Sequence, residues 1–293
     1  KGNKLMAFQT IGFIGLGLIG GSIAKKMKSN QPDIKIYATA HHKETIEEAY
    51  REGLIENNDL LPLSAFSDCD YIFLCAPVQR NLAYLRQLKD IIRSDCYITD
   101  VGSTKTEIHE EVIRLGMEAN FIGGHPMAGV EFSGFDHARE ALFKNASMVL
   151  VPDKNVTIDK LVAVKELFTA LGFARMQVST AEEHDKMIAL TSQLAHVLSS
   201  AYVKSPSAVS HKGFSAGSFR DMTRVAKLNE DMWCELFFDN RENLLGEIDG
   251  LIARLSEYRA ALYERDGDEM KRLLKEGREK KALAEKNYEK TQS

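Results

Sequence analysis

A single histidine stands in the run FIGGHPMAGVEFSG, residues 121–134, behind two glycines and directly before a proline. An imidazole with an unperturbed pKa of ~6.5 can take a proton from a substrate hydroxyl at neutral pH, which makes His125 a candidate base. Pro126 lacks an N–H and restricts its predecessor, so the segment is expected not to continue there as an inner strand or helix. A second set is Gly15, Gly17 and Gly20 of GFIGLGLIGGS, a G-x-G-x-x-G pattern enclosing Leu18 and Ile19. Such glycines allow a tight turn, close approach of a pyrophosphate to backbone, and helix-on-sheet contact. A third set is Arg220 and Arg224, one turn apart in GSFRDMTRVA with Asp221 between them. Arginine suits bidentate carboxylate recognition, and an Arg–Asp surface pair is the competing reading. In TSQLAHVLSSAYV, Ser192, His196, Ser199 and Ser200 share one helix face with Gln193 at its edge, either as an internal network or as the lining of a polar cleft.

These groups need a scaffold. QTIGFIG, KIYATA, YIFLCAP, CYITDVG, NFIGGH, SMVLVP and FARMQVST read as short apolar strands. SIAKKMKSN, KETIEEAYREG, NLAYLRQLKDII, TKTEIHEEVIRLG and IDKLVAVKELFTALG, between the strands, have helical spacing, several ending at glycine. Strand–helix alternation predicts a mostly parallel, doubly wound sheet, with ligands beyond the carboxyl ends of its strands. That puts the glycine loop, Cys75-Ala76-Pro77-Val78, the 100–105 loop with Ser103, and His125 at one edge. The helix opening just after the first strand gives the glycine pattern its meaning as a dinucleotide site. The site usually has an acidic residue about 20 residues on. Here the chain reads Thr39-Ala40-His41-His42-Lys43, with no carboxylate until Glu44.

From Ala181 onward helical periodicity takes over. Trp233, Phe237, Leu244, Ile248, Leu251, Leu255, Tyr258 and Leu262 form an apolar stripe, predicting one helix of about 30 residues that needs a partner, most simply its copy in a second subunit. The charged stretch after it predicts a solvated terminal helix. Domains are expected over 6–179 and 180–293. A net charge of −4 argues against nucleic-acid or anionic-membrane binding. No apolar run approaches the roughly 20 residues of a spanning helix. The four cysteines form no C-x-x-C pair and suggest no metal site, and a cytoplasmic protein is expected.

In order, GFIGLGLIGGS, DVGSTK, GGHPMAGVEFSG, AHVLSSAYV and GSFRDMTRVA followed by Met232-Trp233 resemble the prephenate/arogenate dehydrogenase family of tyrosine biosynthesis, over nearly the whole chain. The resemblance implies an α/β Rossmann-type N-terminal domain, an all-helical C-terminal dimerisation domain and a homodimer. It implies oxidative decarboxylation of prephenate with hydride transfer to NAD+. His125 matches the family's proton-accepting histidine, and Ser103 the serine that supports it and touches cofactor and substrate. Arg224 matches the arginine that grips a substrate carboxylate; His196, Glu131, Gln193 and Trp233 match further pocket positions. Gly15, Gly17, Leu18, Ile19, Gly20, Thr39, Ala76, Pro77, Val78 and Ser103 fall on cofactor-binding positions. Two departures stand out. Gln193 replaces a histidine frequent in relatives, and the segment after KIYATA lacks both the acid and an arginine, so NAD, which bacterial relatives mostly use, is expected, with NADP+ also accepted. Many relatives continue into a regulatory ACT domain, so feedback of that kind is not expected here. Arogenate is the nearest alternative substrate; another two-domain dehydrogenase and a non-catalytic dinucleotide sensor are more distant readings.

Overall fold

The computed structural model describes residues 8–129 and 132–290. The chain divides into two compact units, Lys1–Ile188 with Asn229–Asn240, and Ala189–Leu228 with Arg241–Ser293. By contacts the first unit includes two helices beyond residue 179, α6 (Ala181–Ile188) and α9 (Glu230–Asp239).

The first unit is built on β1 (Thr10–Ile14), β2 (Lys35–Thr39), β3 (Tyr71–Leu74) and β4 (Tyr97–Asp100), all parallel in the order β2-β1-β3-β4. Helices α1 (Leu18–Asn30), α2 (Lys43–Arg51), α3 (Val78–Leu88) and α4 (Thr106–Leu115) alternate with and follow these strands. A bridge from Ile98 to Phe121 leads to β5 (Ile122–Met127), which pairs antiparallel with β6 (Ser147–Pro152). Helix α5 (Ile158–Ala170) then connects to β7 (Arg175–Val178), parallel to β6. All seven expected strands form, and the last two reverse direction. Side chains alternate across β1: Ile11 and Phe13 enter one apolar cluster, Ile14 the other. Gly12 has no side chain because a Cβ there would lie 2.5 Å from the Phe66 ring. Three of the helical segments end as expected, at Gly53, Gly116 and Gly172 with φ of 68°, 69° and 102°.

Pro126 does not end its strand: β5 runs through it to Met127, with Pro126 opposite Met148. Gly124, two residues earlier, sends its N–H toward β4, to the Asp100 carboxylate. Residues two apart along a strand point their N–H groups the same way, so the N–H that Pro126 lacks belongs to the side where β4 has already ended. No rung of the β5–β6 ladder is lost.

The regular elements of the second unit are all helical among the described residues. A π-helical turn, Ala189–Leu194, leads into α7 (Ala195–Val203), followed by α8 (Gly217–Thr223), α10 (Arg241–Glu264) and α11 (Gly267–Lys290). The single long helix expected from Trp233 is instead two. Helix α9 ends at Asp239, and Asn240, with φ −124° and ψ 29°, breaks the path before α10. Its buried side chain donates to the Asp185 carbonyl at 2.8 Å, a tertiary bond that holds the chain at the break. The stripe therefore splits: Trp233 and Phe237 lie on α9, Leu244 is buried, and Leu255 and Leu262 are exposed on α10. Helix α11 lies against α10, with Leu273 buried and the Tyr258 hydroxyl donating to its carbonyl at 3.3 Å. Among the described residues no helix is long and apolar enough to cross a membrane.

Candidate active site

The glycine loop fits a dinucleotide. Gly15, at φ +97°, turns the chain so closely that a Cβ would lie 2.7 Å from the Cys75 backbone. A Cβ on Gly20 would meet the Gly15 carbonyl at 2.6 Å, so this glycine lets α1 start tight against the loop. Gly17 is different, because nothing lies within 4 Å of the position a Cβ would take. It caps α1 without any side-chain hydrogen bond, which leaves first-turn N–H groups and the positive end of the helix facing open space. Leu18 and Ile19 open the helix, and Thr39 accepts the Gly15 N–H at 2.8 Å, tying the loop to the end of β2. Beyond β3, Asn81 donates to the Ala76 carbonyl at 2.8 Å, Pro77 caps α3, and Val78 is buried.

Beyond β4, the wholly buried Asp100 carboxylate accepts from the Gly102 N–H at 2.9 Å, the Gly124 N–H at 3.2 Å and the buried Lys105 ammonium. These bonds fix the 100–105 loop against β5, and Ser103 sits half-buried at its tip. Gly124 makes the approach feasible: a Cβ would lie 2.7 Å from the Asp100 carbonyl and 2.5 Å from Met148. The glycines before the histidine are thus packing requirements of the strand that presents it.

His125 is half-buried on β5, and its Nδ1 lies 2.8 Å from Nε2 of His184 on α6. His184, itself buried, places its Nδ1 2.7 Å from the Asp185 carboxylate. Asp185 Oδ1 also accepts the Lys105 N–H and Oδ2 the Thr106 N–H, each at 2.8 Å, so this carboxylate caps α4 as well. The tautomers follow from the acceptor at the end of the chain. An ionised carboxylate only accepts, so His184 donates from Nδ1 and accepts at Nε2. His125 then donates from Nδ1, which leaves the Nε2 lone pair as its basic site. Burial pushes the His125 imidazole well below 6.5, with His184 and the Lys105 ammonium acting in the same direction and Asp185 opposing them. Burial also raises the Asp185 carboxyl, but bonds from His184 and Thr106 outweigh it and hold the group below its ordinary range.

His184 and Asp185 carry no role in the sequence reading. Neighbours in a helix do not normally face each other, so an adjacent His–Asp pair gives no spacing signal. At His125 Nδ1 the bonding partner is His184. Trp233, on α9 in this same unit, is half-buried with its ring 5.3 Å from Phe237.

The second unit holds the remaining candidates. Gln193 is buried in the π-helical turn. His196 follows one turn later, its Nδ1 2.8 Å from the Ser192 carbonyl. The wider π turn interrupts the single α-helix that the stripe of Ser192, His196, Ser199 and Ser200 presumed. Arg224 stands exposed at the end of α8, and Arg220 and Asp221 form a loose, exposed pair at 3.9 Å. Glu131 lies outside the described residues.

Comparison with known proteins agrees with this architecture. Residues 23–177 match the family model "Prephenate dehydrogenase, nucleotide-binding domain", and residues 180–276 match "Prephenate dehydrogenase, dimerization domain". The chain is 34% identical to the prephenate dehydrogenase of Lactococcus lactis over 90% of this chain and 74% of that one. Among solved structures it resembles the prephenate dehydrogenase of A. aeolicus in complex with hydroxyphenyl propionate and NAD+, with a TM-score of 0.83 at 27% identity, covering 95% and 99% of the two chains. It is also similar to Synechocystis arogenate dehydrogenase, with a TM-score of 0.80 at 28% identity over 94% and 99%. With both halves matched in order, and a curated prephenate dehydrogenase 34% identical over 90% of the chain, the chain belongs to the prephenate dehydrogenase family.

Proposed function

We propose that this chain catalyses the NAD+-dependent oxidative decarboxylation of prephenate to 4-hydroxyphenylpyruvate and CO2, a step toward tyrosine. The observation that carries the reading is the His125–His184–Asp185 chain, which leaves a basic Nε2 on a strand next to a dinucleotide loop. NAD+, when bound, would supply the acceptor for the hydride of C4 of the substrate ring. His125 Nε2 takes the proton of the 4-hydroxyl as C4 becomes carbonyl-like. The C1 carboxylate then leaves as CO2, its bonding electrons make the ring aromatic, and the imidazolium returns its proton to the phenolate oxygen. Ser103 lies on the loop that meets cofactor and substrate. Arg224 engages a substrate carboxylate through its guanidinium fork, with His196, Gln193, Glu131 and Trp233 as further pocket residues. The cofactor is held by Gly15, Gly17, Leu18, Ile19, Gly20, Thr39, Ala76, Pro77 and Val78.

The test is nicotinamide reduction by purified protein with prephenate, with arogenate and with each of NAD+ and NADP+, followed by identification of the product. Reduction with prephenate giving 4-hydroxyphenylpyruvate is expected. Turnover of arogenate alone would move the assignment to that substrate, and turnover of neither would remove it.

The assembly we propose is a homodimer through the helical unit. Leu245, Ile252, Leu255 and Leu262 are 41%, 56%, 54% and 69% exposed and recur along α10 at seven- and three-residue steps. That is the seam spacing of two helices packed together. Sedimentation should give a dimer for the wild type and a monomer for the Leu255→Glu/Leu262→Glu double variant. A monomeric wild type at micromolar concentration would defeat the assignment.

A further inference from the structure

We propose that Asp59 sets the cofactor preference of this chain, by engaging Lys43 beside the position of the adenosine 2′ group. The inference rests on the NAD reading above and explains how a chain without an acid at the end of β2 would still discriminate. In a Rossmann unit the segment after the second strand faces the ribose 2′ position, and a basic side chain there accommodates a 2′-phosphate. Lys43, the first residue of α2, is the cation that this segment offers. In the folded chain it is already occupied. Its ammonium lies 3.1 Å from Asp59 and 3.8 Å from Glu47. Asp59, then Glu47 and Glu44, hold the ammonium charged above its usual range.

Asp59 comes from the segment after α2, which folds back onto β2. Asn57 accepts the Ala38 N–H at 3.0 Å and returns a bond to the Ala38 carbonyl at 2.9 Å, like a short extra rung. The same side-chain amide donates to the Asp59 carbonyl at 2.8 Å, which fixes the Asp59 backbone next to the end of β2. The acid that the glycine fingerprint leads one to seek after β2 is therefore delivered from about 20 residues further along the chain. Lys43 faces three carboxylates, those of Glu44, Glu47 and Asp59, so a dianionic 2′-phosphate meets excess negative charge. The 2′-hydroxyl of NAD+ carries no charge and escapes that penalty. His41 and His42 are exposed and stacked edge to face on each other, with centroids 4.5 Å apart.

The experiment is calorimetric titration of the full chain with NAD+ and NADP+, for wild type, Asp59→Asn, Glu47→Gln and the Asp59→Asn/Lys43→Ala pair. Asp59 is exposed, so its replacement leaves the core intact. Asp59→Asn should shift the Kd ratio toward NADP+ by about threefold to tenfold, and Glu47→Gln by less. The shift should vanish in the pair and shrink as salt is raised. An unchanged ratio in Asp59→Asn, or a gain that survives without Lys43, would overturn the inference while leaving the NAD reading intact. A wild type that binds neither dinucleotide would overturn both.

Discussion

In the sheet-bearing unit the groups proposed to move the proton are held by the chain's own hydrogen bonds, from His125 through His184 to an Asp185 that also caps α4. In the helical unit Arg224 stands exposed at a helix end, and His196 is tied locally to its own helix through the Ser192 carbonyl. The difference follows from what each job needs. A base works only in one tautomer and one orientation, which a buried relay supplies in advance. A carboxylate grip gains its energy when the ligand arrives, and a flexible exposed guanidinium serves. Variants in the first set should therefore act on turnover, and variants in the second on substrate affinity.

The largest effect is expected at His125. His125→Asn should lower kcat by ~10²–10⁴ while leaving NAD+ binding intact, the usual contribution of a positioned base. Because the imidazole is held well below 6.5, the acid limb of kcat/KM for the wild type should lie below that pH and disappear in the variant. Near-normal turnover with an unchanged limb would take His125 out of the mechanism.

Next comes the opposite side of the contrast. Arg224→Ala should raise KM for prephenate by roughly 30-fold or more with little change in kcat, and Arg224→Lys should recover only part of the loss. A fall in kcat alone would erase the distinction between the two regions.

Asp185→Asn should lower kcat by about 10–10²-fold, less than His125→Asn because an imidazole stands between it and the reacting proton. It should also move the acid limb, since the amide no longer fixes the tautomer of His184. A variant that loses stability but keeps both kcat and the limb would reduce Asp185 to a cap of α4.

The same two regions differ in how openly the sequence speaks. Alternation of apolar strands with helices marks all seven strands and the five helices between them, because each element buries one periodic face. Gly15, Gly17 and Gly20 are legible from spacing, since close backbone approach tolerates nothing else. The course of β5 through Pro126 is not, because it depends on where the neighbouring β4 stops. His184–Asp185 is hidden for a related reason: its partners, Lys105, Thr106 and His125, are about 60–80 residues away along the chain, and helical periodicity records only local faces. In the helical half periodicity misleads twice. The polar stripe from Ser192 to Ser200 passes over the π turn at Ala189–Leu194, and the apolar stripe from Trp233 passes over the break at Asn240, where a tertiary bond to Asp185 accompanies the change of path. Glu131 lies outside the described residues, and its part in the pocket rests on resemblance alone.

The smallest effect tests why α9 sides with the sheet-bearing unit although it lies in the C-terminal half of the sequence. Asp239, at its end, accepts from the Gln79 amide at 2.9 Å, and that amide also donates to Glu107 at 2.6 Å. Burial pushes the Asp239 carboxyl from 3.8 to about 6, with Glu107, Glu235 and Asp185 adding to the rise and the Gln79 bond opposing it. A carboxyl raised on folding binds its proton more tightly in the folded chain. Its contribution is full below the unfolded value of 3.8 and is lost as pH rises through about 6. At neutral pH the folded chain therefore carries a half-buried charge beside another carboxylate. Asp239→Asn keeps the shape and removes that charge, so it should raise Tm by about 2–4 °C above pH ~7 and leave it nearly unchanged near pH ~4. Thermal scans of both proteins across that range decide the point. A lower Tm for the variant at neutral pH would mean that the charged bond to Gln79 outweighs burial, and that α9 is fastened by Asp239 in its ionised form.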